Sequence, residues 1–244
     1  MVEVKKYIHI SNDIKNKIID GTYQANEKLP SEKELGELYK VSKMTVKQAL
    51  DILVTEGMII KRRGAGTFVK DLSNDELKRI SINSQFRGKT AEHPREKVTS
   101  KVLEFSVIPC DNLVQKKLNL EEQEFVYFVH RTRYIDGVAH TVEESFMPIN
   151  LIVNLKLSNV EHSIYSYIQE NLNLSIQSVH RFITVRKANE LEINELKLEE
   201  GDPVAVVEQV GYLSTGQAFE YSTSVHRYDF FKTEMIITKI DNVY

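Results

Sequence analysis

Two sets of residues have types and spacings that do chemistry. The first is basic. Lys33, Lys43 and Lys47 recur through residues 29–53, and Lys61-Arg62-Arg63 runs into Gly64-Ala65-Gly66. Cations placed along a short helix and at a glycine tip neutralise phosphates, and each neutralised phosphate releases counterions. The second set is Arg131 and Arg133. In a strand over 125–134 side chains alternate, so both guanidiniums share a face with Phe125, Tyr127 and Val129. Two cations about 7 Å apart, two strand rises, repel unless an anion lies between or beside them. A phosphate or carboxylate ligand would satisfy both in fork geometry. The competing explanation is an internal ion pair. With a two-residue turn at Asp136-Gly137, Glu144 falls on the arginine face; one extra turn residue puts Glu143 there instead.

The elements that must hold the first set are short. Tyr7 to Ile19 reads as a helix with Ile10, Ile14 and Ile18 on one face and Gly21 as its stop. Ser31 with Glu34 is a capping box that starts a second helix carrying Leu35 and Leu38. Val41-Ser42 breaks the period, and Thr45 to Leu53 resumes it with Val46, Ala49, Leu50 and Leu53 inward, Lys43, Thr45, Lys47 and Gln48 outward, and Gly57 as its end. Each helix is too short to hold alone, so the three must pack on one another and on the hairpin of Ile59 and Phe68. Two helices with a tight break, then a basic hairpin, is the layout of a winged helix-turn-helix, whose second helix enters the DNA major groove.

Charge agrees with that layout. The 244 residues carry −3 overall, yet residues 1–70 hold 13 Lys+Arg against 9 Asp+Glu, a balance of +4, which leaves −7 for the remainder. A basic module on an acidic body grips a polyanion with one end only. The length suits two domains. The single cysteine, Cys110, excludes an internal disulfide framework, and the chain has neither an apolar leader nor a membrane-length run. A cytoplasmic protein with no membrane partner is expected.

The stretches Leu29-Pro30-Ser31-Glu32-Lys33-Glu34-Leu35, Val41 to Leu50 and Gly64-Ala65-Gly66-Thr67-Phe68-Val69 resemble the DNA-binding domain of the GntR family of bacterial transcription regulators, without gaps over about seventy residues. The resemblance implies DNA contacts from Lys33, Lys43, Thr45, Lys47 and the wing glycines Gly64 and Gly66, with Arg62 and Arg63 on phosphates. The family usually has arginine where this chain has Lys33, Lys43 and Lys47. Arginine bonds guanine O6 and N7 together and lysine is a point charge, so binding weighted toward phosphate, with looser guanine readout, is expected.

Beyond a 1–71 DNA-binding domain, residues 72–97 read as a polar linker, partly ordered where Ile80, Ile82 and Phe86 dock, with His93-Pro94 barring a continuous helix. Residues 98–244 contain an internal repeat. Leu118-Asn119-Leu120-Glu121-Glu122 returns as Leu196-Lys197-Leu198-Glu199-Glu200, Tyr134 as Tyr212, and Val142-Glu143-Glu144-Ser145 as Phe219-Glu220-Tyr221-Ser222. Each copy runs from a helix (Asn112 to Leu118; Glu190 to Leu196) to a strand, a glycine turn and a strand. Pairing them predicts one antiparallel sheet with helices on one face, an α+β arrangement, with a groove between the halves for a small ligand.

This half is similar to the effector-binding (UTRA) domain of the HutC subfamily, of chorismate-lyase-like fold, on the strength of Arg131 to Gly137, Glu143 to Pro148, Ser163-Ile164-Tyr165 and Phe219 to Ser222. It implies further effector contacts from Glu220 and Tyr228, and relatives responsive to sugar phosphates place the arginine pair near the ligand phosphate. Ser163 opens a helix to Leu172; with Tyr165 it either donates to the same anion or serves as cap and core. No metal spacing, catalytic triad, P-loop or nucleotide fingerprint appears, so no cofactor and no enzyme activity is expected. The expectation is a regulator, a repressor that binds a palindromic operator as a homodimer and is released by a small anionic metabolite, a phosphorylated sugar leading. The alternatives are a chorismate-lyase-type enzyme with a vestigial DNA-binding arm and an architectural DNA binder without an effector.

Overall fold

The computed structural model describes residues 6–73, 76 and 96–233. Residues 6–73 belong to one compact unit and 96–232 to a second. The docking expected of Ile80, Ile82 and Phe86 and the break at His93-Pro94 lie outside the described residues.

The first unit orders α1 (Lys6–Ile19), α2 (Glu32–Tyr39), α3 (Lys43–Thr55), β1 (Ile59–Arg62) and β2 (Gly66–Val69). Both halves of the Ser31–Glu34 capping box form, and Ser42 caps α3 by accepting from Thr45 N–H. Lys40 closes α2 at φ 53°, and its N–H reaches back to Glu37 and Gly36, so the chain turns sharply into α3. Ile10, Ile14, Ile18, Leu35, Val46, Ala49, Leu50, Leu53, Met58 and Ile59 form one buried cluster. Leu38 is not part of it and is 59% exposed. Helix α2 turns its 35/39 row inward instead: Tyr39 packs on the cluster, and its hydroxyl donates to Asp13 on α1. Burial, and then that bond to Asp13, push the phenol up to about 12.

The second unit is a six-stranded antiparallel sheet. Its strands are β3 (Val98–Pro109), β4 (Phe125–Ile135), β5 (Val138–Pro148), β6 (Ile176–Lys187), β7 (Pro203–Leu213) and β8 (Ala218–Arg227), in the order β3-β4-β5-β8-β7-β6. The two copies of the repeat form its halves and meet at β5 and β8. The repeated helices, α4 (Asn112–Leu118) and α7 (Glu190–Leu196), share one face: Val114 and Leu118 pack on Val126, Val210 and Tyr221, and Leu196 packs on Val142, Val204 and Val225. The opposite face is also covered. The crossover between the copies carries α5 (Leu157–Glu161), α6 (Ile164–Ser166) and a π-helical turn (Tyr167–Asn171). Its Ile152, Val160, Ile164 and Ile168 bury against Val129, Met147 and Phe219. The arginines lie on this second face.

The register there departs from a plain hairpin. Asp136 and Gly137 make a two-residue turn at φ 48° and 83°, with Ile135 opposite Val138. Tyr134 then pairs with Ala139 but Arg133 with Thr141, so His140 is an extra residue, a bulge. The turn is the short one, yet the bulge supplies the additional residue. Glu143, rather than Glu144, stands opposite Arg131.

Candidate nucleic-acid interface and anion site

On the first unit, α3 buries Val46, Ala49, Leu50 and Leu53 and leaves Lys43, Met44, Lys47 and Gln48 exposed. Met44, 63% exposed beside the two lysines, was not singled out by the sequence; its one-residue step from Lys43 on the outward face was the available sign. Lys33 is exposed in the first turn of α2. Thr45 is partly engaged, its hydroxyl 2.9 Å from Ser42 Oγ. Gly64 (φ 75°) and Gly66 (φ 120°) form the tip between β1 and β2, where a side chain would strain the backbone. Arg62 and Arg63 are exposed, and the Arg62 guanidinium lies 4.6 Å over the Phe68 ring. One acid tempers this surface: Glu32 sits 3.7 Å from Lys43 Nζ and 4.0 Å from Lys61 Nζ. Lys61 also holds Asp51 at 2.6 Å. Exposed lysines, a polar helix face and a glycine-tipped hairpin are thus gathered in one small unit.

On the second unit, β4 and β5 present Arg131 and Glu143 as a buried ion pair. Arg131 Nε and Nη2 donate to one Glu143 oxygen at 3.0 and 2.9 Å. The internal pairing foreseen as the alternative to a ligand is therefore present. Arg131 Nη1 also donates to Val160 O at 2.6 Å and, more weakly, to His162 O at 3.4 Å. Arg133, 2% exposed, donates from Nη1 to Ser100 Oγ at 2.8 Å and to the same His162 O at 2.9 Å. The two guanidiniums converge on one carbonyl oxygen. Burial, with repulsion from Arg131 and against attraction from Glu143, pulls Arg133 down to about 10, which still leaves it charged at neutral pH.

A second polar cluster adjoins on β7 and β8. Tyr165 OH donates to Glu220 Oε2 at 2.5 Å, Gln209 Nε2 donates to Tyr165 OH at 3.0 Å, and Arg181 Nε donates to Gln209 Oε1 at 2.6 Å. Burial raises the Glu220 carboxyl; the bond from Tyr165 opposes that shift, Glu143 adds to it and Arg131 opposes it. Glu220 is thereby electrostatically coupled to the Arg131–Glu143 pair. Burial, and then the charge of Glu220, push the Tyr165 phenol well up. Gln209 was missed by the sequence reading. It stands three residues before Tyr212, as Arg131 stands three before Tyr134, so the repeat itself marks the position. Ser163 acts as a cap, accepting from Ser166 N–H at 3.2 Å and from Ser166 Oγ at 3.0 Å. Tyr228 follows β8 and is 50% exposed, and none of the bonds above reaches it.

The family models match the same two parts of the chain. "Bacterial regulatory proteins, gntR family" matches residues 6–69, and the UTRA domain matches residues 95–232. The HTH-type transcriptional regulator GmuR of Bacillus subtilis (strain 168) is 34% identical over 228 residues, which are 93% of this chain and 96% of that one. The chain belongs to the GntR family. Its helix-turn-helix and UTRA parts fit the HutC subfamily. The crystal structure of the possible transcriptional regulator YydK of B. subtilis superposes on this GntR protein with a TM-score of 0.71 at 31% identity, covering 97% of this chain and all of that one. The mannosyl-D-glycerate transport/metabolism system repressor MngR of Escherichia coli (strain K12) is 29% identical, over 94% of this chain and 95% of that one. This GntR chain is a transcriptional regulator with a DNA-binding and an effector-binding domain. The comparisons give no support to the chorismate-lyase-type enzyme. Among the described residues no helix is long and apolar enough to cross a membrane.

Proposed function

We propose that this regulator is a cytoplasmic repressor that holds a palindromic operator as a homodimer and releases it when a small anionic sugar derivative, a sugar phosphate foremost, enters the second unit. The observation that carries the reading is the convergence of Arg131 and Arg133 on His162 O, within a cluster that also offers Glu143, Glu220 and Tyr165. An anionic group is a better acceptor for two guanidiniums than one carbonyl, and carboxylates beside it suit sugar hydroxyls. In this reading Ser163 and Tyr165 give up local bonds to the ligand, and Tyr228 closes on it from the end of β8. The name of MngR ties that protein to a sugar joined to a carboxylic acid, in keeping with the same ligand chemistry.

A single recognition helix covers one half-site, so two-fold symmetry is needed to read a palindrome. Strand β6 suits such an association: among the described residues it ends the sheet, and Phe182 and Val185 on it are 66% and 71% exposed. An edge strand that exposes apolar side chains is a surface that natural sheets cover. Ligand binding acts on operator affinity only through its differential affinity for the two domain arrangements.

The test is thermal unfolding of the full chain with a panel of sugar phosphates and sugar acids. A binder present at about 100 times its Kd adds roughly 2.7 kcal/mol of stability. Arg133→Ala should abolish the shift and leave duplex affinity unchanged. Equal loss of duplex binding in Arg133→Ala would refute the site.

A further inference from the structure

The segment before α2 is built into the wing. Asn26 N–H donates to Val69 O at 3.1 Å, Val69 N–H to Glu27 O at 2.9 Å and Leu29 N–H to Thr67 O at 2.9 Å, while Lys28 pairs with Phe68 as an antiparallel bridge. Leu29, 2% exposed, anchors this short third strand in the core. Lys28 is exposed between those bonded neighbours, and the end of its side chain lies by Gly66. A Cβ on Gly66 would stand 2.7 Å from Lys28 Cε and 3.4 Å from Lys28 Nζ. The ammonium therefore sits against the tip glycine. The end of its stem lies over the Gly66 backbone.

The neighbouring cations are occupied differently. Lys61 is held by Asp51 and Glu32, and Arg62 is stacked on Phe68. Among the described residues no carboxylate lies within ion-pair distance of Lys28. We infer that Lys28 is a phosphate-binding residue of the wing, its ammonium taking a backbone phosphate of the duplex where the Gly64–Gly66 tip approaches it. The inference rests on the reading that this unit grips duplex DNA with α3 and the wing. A lysine is a compact point charge, suited to a phosphate and not to bidentate base readout. The anchored backbone and the packed stem reduce the freedom lost on binding. Lys28 thus sets strength of grip and not sequence preference.

The test uses the full chain and the duplex that the wild-type chain itself enriches from a random-sequence pool, with binding followed by fluorescence anisotropy over a KCl series. For Lys28→Gln and Lys28→Ala, the slope of log K against log[salt] should become shallower by about 0.9 per wing, and affinity at about 0.15 M KCl should fall roughly fivefold per wing. The enriched sequence should not change, and Lys28→Arg should bind as wild type does. Lys116→Gln, a charge loss at an exposed position of the other unit, should leave the slope where it was. Unchanged slope and affinity in both neutral variants, at unchanged melting temperature, would overturn the inference. So would a loss confined to particular bases. If the wild-type chain enriches no duplex at all, the DNA-binding reading fails first and the inference falls with it, an outcome distinct from the other two.

Discussion

Arg131 and Glu143 face each other across β4 and β5, and one extra residue, His140, makes them do so. Without that bulge the two-residue turn at Asp136-Gly137 would put Glu144 on the arginine face. As built, Glu144 stands opposite His130 instead, with His130 Nε2 4.0 Å from its carboxylate. The buried cation pair thereby receives a carboxylate on its own side of the sheet, and both guanidiniums stay within reach of one acceptor position.

This pairing predicts an asymmetry between single and double substitutions. Arg131→Ala takes from the Glu143 carboxylate a buried partner and should cost roughly 3–5 kcal/mol of stability, whereas Arg131→Met with Glu143→Leu should recover most of it. Urea unfolding of the wild type, Arg131→Ala, Arg131→Met, Glu143→Leu and the Met/Leu double variant checks this. A loss under about 1 kcal/mol in Arg131→Ala would mean that the pair behaves like an exposed salt bridge.

Glu220 should make stability depend on pH. Its folded-state carboxyl is raised, so its favourable contribution is complete below the ordinary carboxylate range and is lost as pH rises through the raised value. Glu220→Gln mimics the protonated form and can still accept from Tyr165 OH and, at 3.4 Å, from Gln209 Nε2. The melting temperature of the wild type relative to Glu220→Gln should therefore fall as pH rises above the ordinary carboxylate range. A difference that no longer changes once pH has passed that range would show that Glu220 titrates normally.

The lysines of the recognition surface predict loose readout. Replacing Lys33, Lys43 and Lys47 by arginine should sharpen discrimination at guanine positions by about 1–3 kcal/mol for each bidentate contact formed. Enrichment from a random pool by the two proteins compares them directly. Identical base preferences would show that these positions touch phosphate alone in both.

Phe182→Lys should disfavour self-association through β6, where the phenylalanine is 66% exposed on a strand that ends the sheet among the described residues. Light scattering should find the wild type dimeric and the variant shifted toward monomer. A variant that stays as dimeric as the wild type would place the interface elsewhere.

Much of the fold was legible because its signals are local. The Ser31–Glu34 capping box, the apolar stripe of α3 and the Gly64–Gly66 tip are each written within a few residues, and the duplicated Leu118 and Leu196 segments place the two halves of the sheet. What sequence left open depends on contacts distant along the chain. Leu38 and Tyr39 are adjacent, and the one that turns inward, Tyr39, packs on the core cluster and bonds Asp13 on another helix. Whether Glu143 or Glu144 meets the arginines turns on a bulge that no turn motif encodes. Gln209 and Lys28 gain their roles only when strands far apart in sequence are laid side by side.

The most direct measurement is anisotropy of the full chain on its own enriched duplex, titrated with the sugar phosphate that most raises its melting temperature. Tight, salt-sensitive binding to a two-fold symmetric sequence is expected, lowered by the ligand in the wild type and unaffected by it in Arg133→Ala. Binding that ignores every ligand that stabilises the second unit would contradict it.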